Sequence, residues 1–249
     1  MTELLKLTLT KADLATIPPD ERPFSLMAQL ACNDINVLGK LLIIATNDRK
    51  LDDVPRWAQM TQTFLLVRLL AGRLFEANEQ IKALFLGKKL RAKYIDELNP
   101  KAKDGLENLN RYFGRRNPIE RVRNVFAFHM GAAEIEQLYA ELPEDFRFTS
   151  VLSEAYQGNS LFYGAEILAY HAVAKELDQP DMASGLDVLM QDTVQVSMWM
   201  GNFLTYFVVL MFGKFLGISR SDMESIALPG EVRISDLRVP FFAGPPARS

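Results

Sequence analysis

The sequence predicts an all-α fold, an antiparallel multi-helix bundle with extended arms at both ends. Three observations predict it. Apolar residues recur at three- and four-residue steps through most of residues 23–217. Helix-start signals stand at Pro55, Asn99-Pro100 and Asn117-Pro118. Apart from Pro143 and Pro180, the remaining prolines gather towards the ends, at 18, 19 and 23 and again at 229, 240, 245 and 246. The domain boundaries that follow are an N-terminal arm over 1–22, a helical domain over 23–217 and an irregular C-terminal tail over 218–249.

Within the first arm, Leu5, Leu7 and Leu9 alternate with Lys6, Thr8 and Thr10, the period of a half-buried strand. Val232–Val239 is also extended in character, so the termini either pair in a small two-stranded sheet or lie over the helices. Pro18-Pro19 closes the arm. From Pro23 to about Thr46, Met27, Leu30, Ala31, Ile35, Leu38, Leu41 and Leu42 mark one helical stripe, with Asp34 beside it. Pro55 opens a second helix running to about Leu86. In it Arg73 and Glu76 stand at i,i+3, spaced either for a simple salt bridge or for a polar outer layer that orients a site elsewhere. Gly87–Leu98 is a basic, partly helical connection, and Asn99-Pro100 caps a helix ending near Gly114.

Asn117-Pro118 then starts a helix expected to continue to Leu142-Pro143. Residues 149–177 read as another helix, broken near Gly158, and residues 184–217 as a long one. The run Met198–Phe212 is very apolar, but a membrane span needs about 20 such residues. This run is shorter and holds Gly201, Asn202 and Thr205, so a buried central helix is expected and no membrane partner. Phe241-Phe242 in the tail is a candidate for docking onto the body or onto a partner.

A chain of 249 residues fits one large domain or two small ones and needs no covalent staple. Cys32 is the only cysteine, which excludes a disulfide framework and a cysteine-rich zinc site and points to a reducing, cytoplasmic setting. The start, Met-Thr-Glu-Leu-Leu-Lys, lacks the basic and apolar regions of a signal peptide. His171 stands five residues after Glu166, a step that matches no zinc or di-iron motif. It is read as a core or interface histidine, and neither a metal nor a cofactor is expected. Net charge is −3, yet residues 82–123 carry 12 Lys/Arg against 5 Asp/Glu, a local +7. That asymmetry suits either an RNA footprint or a solvated basic face.

The most informative stretch is Asn117-Pro-Ile-Glu-Arg-Val-Arg-Asn-Val-Phe-Ala-Phe-His-Met-Gly131. Asn117 is a good N-cap and Glu120 completes an Asn-x-x-Glu capping box. Arg115, Arg116, Arg121 and Arg123 cluster around this helix start, where cations are unfavourable unless an anion joins them. The cluster therefore suggests a phosphate-handling surface. Arg123 and His129, six residues apart, are separated on a straight helix by about 9 Å of rise and about 120° of rotation. A kink, or two copies meeting across a twofold axis, would bring such groups together.

Arg123-Asn124-Val125-Phe126-Ala127-Phe128-His129 resembles the signature of the HEPN superfamily (higher eukaryotes and prokaryotes nucleotide-binding): Arg, a polar residue, then His after four to six intervening residues. The likeness is nearest to the abortive-infection branch, where a helix like Phe64–Glu76 precedes the motif helix, and it extends over roughly residues 23–217. The resemblance implies a metal-independent ribonuclease, a toxin or antiviral effector, working as a homodimer against RNA and in some systems held by an antitoxin protein. His129 would be the general acid or base, Arg123 the phosphate clamp and Asn124 an orienting group. Arg115, Arg116 and Arg121 would hold the RNA backbone, with Arg73 and Glu76 as the outer layer. Two other readings stay open: a non-catalytic dimer of the same ancestry that binds RNA, nucleotide or a regulatory protein, and a plain scaffold.

Overall fold

The computed structural model of the chain describes residues 3–47, 51–126, 131–154, 157–227 and 232–244. It is an all-α bundle with one small two-stranded antiparallel sheet. The helices among the described residues are α1 (Lys11–Ala15), α2 (Arg22–Ala45), α3 (Asp53–Gln80), α4 (Leu90–Tyr94), α5 (Pro100–Phe113), α6 (Pro118–Phe126), α7 (Ala132–Ala140), α8 (Tyr163–Glu176) and α9 (Met182–Leu216). A π-helical stretch, Ile81–Leu86, carries α3 on to the boundary expected from sequence.

The sheet pairs β1 (Glu3–Lys6) with β2 (Glu224–Ala227), in the register Glu3 to Ala227 and Lys6 to Glu224. The N-terminal strand overlaps the alternating stretch only at its start, since it ends at Lys6 and residues 7–10 are irregular, and its partner is not Val232–Val239. That stretch contains a 3₁₀ turn at Ile234–Asp236 instead. Two helix expectations are also corrected. The helix begun at Pro118 does not run unbroken to Leu142. Gly131 has extended backbone (φ −73°, ψ 154°), and its N–H donates to Glu134 Oε2 at 2.8 Å, so α7 has its own N-terminus. A residue with that backbone cannot lie inside an α-helix. Among its described residues, the expected helix over 149–177 is α-helical only from Tyr163, with a 3₁₀ turn at Gln157–Asn159 around the expected break. Val151 and Leu161 exchange backbone hydrogen bonds in an antiparallel bridge, and α8 starts at Tyr163.

The chain divides into two compact units. Unit 1 comprises residues 1–37, 73–115 and 195–233; unit 2 comprises 38–72, 116–194 and 234–249.

The core of unit 1 is aromatic. Phe24, Phe85, Phe203 and Phe207 are fully buried and in ring contact, with Tyr94 edge-on to Phe207. Gly105 lets α5 close onto α9, since a Cβ there would meet the Trp199 carbonyl oxygen at 2.5 Å. Glu21 is buried beside this core, where burial alone would raise its pKa. An ion pair with Lys93 and a 2.8 Å hydrogen bond donated by Tyr94 Oη outweigh that and hold it below the usual carboxylate value. Burial, followed by the Glu21 carboxylate, pushes the Tyr94 hydroxyl up to about 12. Between Val196 and Met211, α9 buries Val196, Met200, Phe203, Leu204, Phe207 and Met211, but Met198 and Val209 are exposed. It is a core helix along one face and not all round. By length and composition, α2 and α9 could each cross a membrane.

In unit 2, α6 and α7 both pack on α8. Ile119 and Val122 of α6, Leu138 of α7 and Leu168, Ala172 and Val173 of α8 are buried. Phe64 of α3 meets Tyr170 at 4.3 Å between ring centroids, and Trp57 stacks on Tyr163 at 5.0 Å and 11°. Gly185 permits the start of α9 to approach α8, where a Cβ would sit 2.8 Å from Ala174 Cα.

Candidate functional site

The start of α6 forms as its sequence dictates. Pro118 occupies the first helical position, the buried Asn117 accepts from the Glu120 N–H at 2.9 Å, and its own amide donates to Glu120 Oε2 at 3.2 Å. Burying Ile119 and Val122 against α8 fixes the rotation of the helix. That rotation sends Arg121 along the surface of α8 to its C-terminal end.

There Arg121 Nε donates to Glu176 Oε1 at 2.9 Å and a terminal nitrogen donates to Asp178 Oδ2 at 3.0 Å. Arg116 reaches the same Glu176 oxygen at 3.6 Å. Cations clustered at a helix start call for an anion, and the chain supplies one itself: two carboxylates at the C-terminus of α8, where the helix dipole also favours a cation. The Arg121 side chain is only 15% exposed. Burial would weaken its charge, but Glu176 and then Asp178 more than compensate and hold its pKa above the ordinary value. Asp178 adopts a left-handed backbone (φ 56°), a conformation tolerated better by Asp than by most non-glycine residues. Arg121, expected to grip an RNA phosphate, is thus the centre of an internal ion-pair cluster.

The other expected site residues are distributed as follows. Arg116 is exposed, with its side chain 72% accessible, and Arg115 before it is exposed as the last residue of unit 1. Arg123 is half-buried in the last turn of α6. Asn124 lies on α6, but its side chain is outside the described residues, as is the whole of His129. Arg73 and Glu76 belong to unit 1, whereas α6 belongs to unit 2. Arg73 forms an ion pair with Asp34 of α2, and with Glu76, Met27 and Gln80 it lines a cavity of about 340 Å³. The Arg73 guanidinium thus makes a cross-helix pair between α3 and α2.

Two further clusters lie in unit 2. Glu141 at the end of α7 binds Lys175 at 2.5 Å and lies 3.7 Å from His171 Nε2, so His171, 39% exposed, is an α7–α8 contact residue. The Lys175 hydrogen bond holds the Glu141 pKa below its ordinary value. Deeper in the unit, Thr61, Phe64 and Arg68 share one face of α3, and Glu166 and Tyr170 one face of α8. The Arg68 guanidinium lies over the Phe64 ring at 4.4 Å. Glu166 Oε2, Tyr170 Oη, Arg68 Nε and Thr61 Oγ1 are all buried without a hydrogen-bond partner. Burial raises the Glu166 pKa, and the Arg68 charge offsets only part of that.

Sequence reasoning singled out neither the carboxylate partners of Arg121 nor this orphaned group. The signal for the first was available: acids at 176 and 178 close a helix where the dipole disfavours them, so they need a cation. The signal for the second was a polar residue every three or four positions inside an apolar stripe. Its cross-helix pairing is a tertiary fact. Among the described residues no three His, Cys, Asp or Glu side chains converge as metal donors.

No family model matches the chain, and no curated protein or solved structure matches it.

Proposed function

We propose that the chain is a ribonuclease of HEPN type that needs no metal and acts as a homodimer, with a toxin or antiviral role in the cytoplasm. The observation that carries the proposal is the Arg123-Asn124-x4-His129 spacing, entered from a helix whose start is fixed by the Asn117–Glu120 cap and by the burial of Ile119 and Val122. The all-α bundle is compatible with it. In this reading RNA's own 2′-hydroxyl attacks the adjacent phosphorus, the bond to the 5′-oxygen breaks, and a 2′,3′-cyclic phosphate and a 5′-hydroxyl result. His129, the imidazole of the motif, takes or returns the proton. Arg123 offsets the charge growing on the phosphoryl oxygens, and Asn124 orients the histidine or the phosphate. Arg115 and Arg116, both exposed, would contact RNA backbone in this reading. Analysis of product ends tests the chemistry: cyclic phosphate and 5′-hydroxyl termini support it, whereas 5′-phosphate products would contradict it.

One observation favours a second reading, a non-catalytic dimer that binds RNA, nucleotide or a regulatory protein such as an antitoxin. Arg121 is neutralised inside the unit and Arg116 leans on the same Glu176, so the free positive charge around α6 is smaller than the sequence suggests. The two readings divide on whether His129→Ala abolishes turnover or leaves an unchanged binding protein.

A further inference from the structure

The C-terminal tail of unit 2 is held as a ligand would be. Residues Arg238–Phe242 lie beside a cleft formed by the end of α2 and the start of α3, and together they line an open cavity of about 210 Å³. The body contributes Ile44, Leu51, Pro55 and Ala58, with Gln59 and Gln62 at the polar edge. The tail contributes Val239, Pro240 and an edge-to-face pair of rings, Phe241 and Phe242, 5.1 Å apart. The cleft floor is itself pinned. Gln59 Nε2 donates to the Ala45 carbonyl at 2.7 Å and to the Asn47 carbonyl at 3.2 Å, fixing the end of α2 against α3.

The next tail residue is held by main-chain recognition. Asn159 Nδ2 donates to the Ala243 carbonyl at 2.8 Å, and the Ala243 N–H donates to Asn159 Oδ1 at 2.9 Å. One carboxamide thereby satisfies both main-chain polar groups of one residue, whatever its side chain. Pro240 is exposed at the rim of the cleft and has no N–H to satisfy there, while Phe241 and Phe242 are half-buried. Apolar pockets for side chains beside a fixed main-chain clamp are the two elements of short-peptide recognition.

We infer that the α2–α3 cleft of unit 2, with Asn159, is a peptide-binding groove for short Pro-aromatic-aromatic-small segments, and that Arg238–Ala243 is its resident occupant in cis. A partner chain carrying such a segment gains access only when the tail leaves. Tethered to the same unit, the tail competes at an effective concentration in the millimolar range. The groove is therefore largely closed in the resting protein.

Full-length protein tests this with a fluorescein-labelled peptide of the native sequence Leu237–Gly244. Phe241→Ala with Phe242→Ala weakens the resident tail and leaves the groove unaltered. The peptide should bind this double variant at least tenfold more tightly than it binds wild type, and adding Asn159→Ala should lower that affinity at least fivefold. In Asn159→Ala alone, amide exchange over residues 237–244 should quicken at least tenfold while that of α8 stays unchanged. The inference is overturned by equal binding to wild type and double variant, or by no binding to a double variant whose melting curve matches wild type. Affinity or exchange indifferent to Asn159→Ala overturns it as well.

Discussion

Arg121 discriminates between a structural and an RNA-binding role for the α6 arginines. Replacing it with Ala leaves Glu176, 27% exposed, with only the longer Arg116 contact, and Asp178, 79% exposed, without the Arg121 guanidinium. A partly buried charge-assisted hydrogen bond contributes about 1.5–3 kcal/mol. The second, to a carboxylate largely in water, contributes roughly 0–1 kcal/mol. The loss should total about 2–4 kcal/mol, which for a chain of this length lowers the melting temperature by roughly 5–15 °C. Arg121→Lys keeps the charge but not the planar fork, so it should fall between wild type and Ala. The two tryptophans report the units separately, Trp57 stacked on Tyr163 in unit 2 and Trp199 against Tyr112 in unit 1. Denaturation followed by fluorescence in a Trp199→Phe background should therefore show the loss through Trp57. RNA binding should respond differently. Removing one cation that neutralises a phosphate of single-stranded RNA reduces the slope of log affinity against log salt by about 0.7. Arg116→Ala should show such a drop and Arg121→Ala should not. An Arg121→Ala protein with unchanged stability and a reduced salt slope would refute the ion-pair assignment.

Glu166→Gln should stabilise unit 2 at neutral pH. Its pKa is raised in the fold, so the unfolded chain releases the proton first and stability declines as pH rises from the unfolded value through the folded one. Removing the charge removes that decline, so the gain should be measurable at pH 7 and absent near pH 4 in urea titrations. Glu21 has the opposite sign. Its pKa is lowered in the fold, so its contribution is present above the unfolded carboxylate value and is lost as pH falls through the folded one. Lys93→Met should cost about 1–3 kcal/mol at pH 7 and flatten the acid limb of the stability profile. Gly105→Ala should destabilise unit 1 by about 1–3 kcal/mol, because the new Cβ meets backbone and not a yielding side chain. A melting temperature within a degree of wild type would contradict that close crossing.

The elements with covalently local causes could be read from the sequence. Asn99 and Asn117 cap α5 and α6, Pro18-Pro19 bounds the arm, and the Leu5–Leu7–Leu9 alternation signals a strand but runs past β1, which ends at Lys6. Gly131 and Phe162 were missed as helix starts, since neither is a strong N-cap and apolar residues run straight through both. The sheet partner was misplaced because Glu224–Ala227 is too short for its pattern to outweigh that of Val232–Val239. The candidate site was legible in type and not in geometry. The arginines were visible, but a carboxylate 55 residues away takes up Arg121, and no local pattern encodes that distance. The groove under Phe241-Phe242 was foreshadowed only as a docking tendency. Its clamp, Asn159, closes a 3₁₀ turn at the expected helix break, and nothing in the local pattern pairs it with Ala243.

Cleavage of an end-labelled RNA in EDTA, wild type beside His129→Ala, tests the central proposal most directly. The account predicts cleavage by wild type and a loss of at least about a hundredfold in the variant, with folding unchanged. Equal cleavage by the two proteins, or none by either, would contradict it.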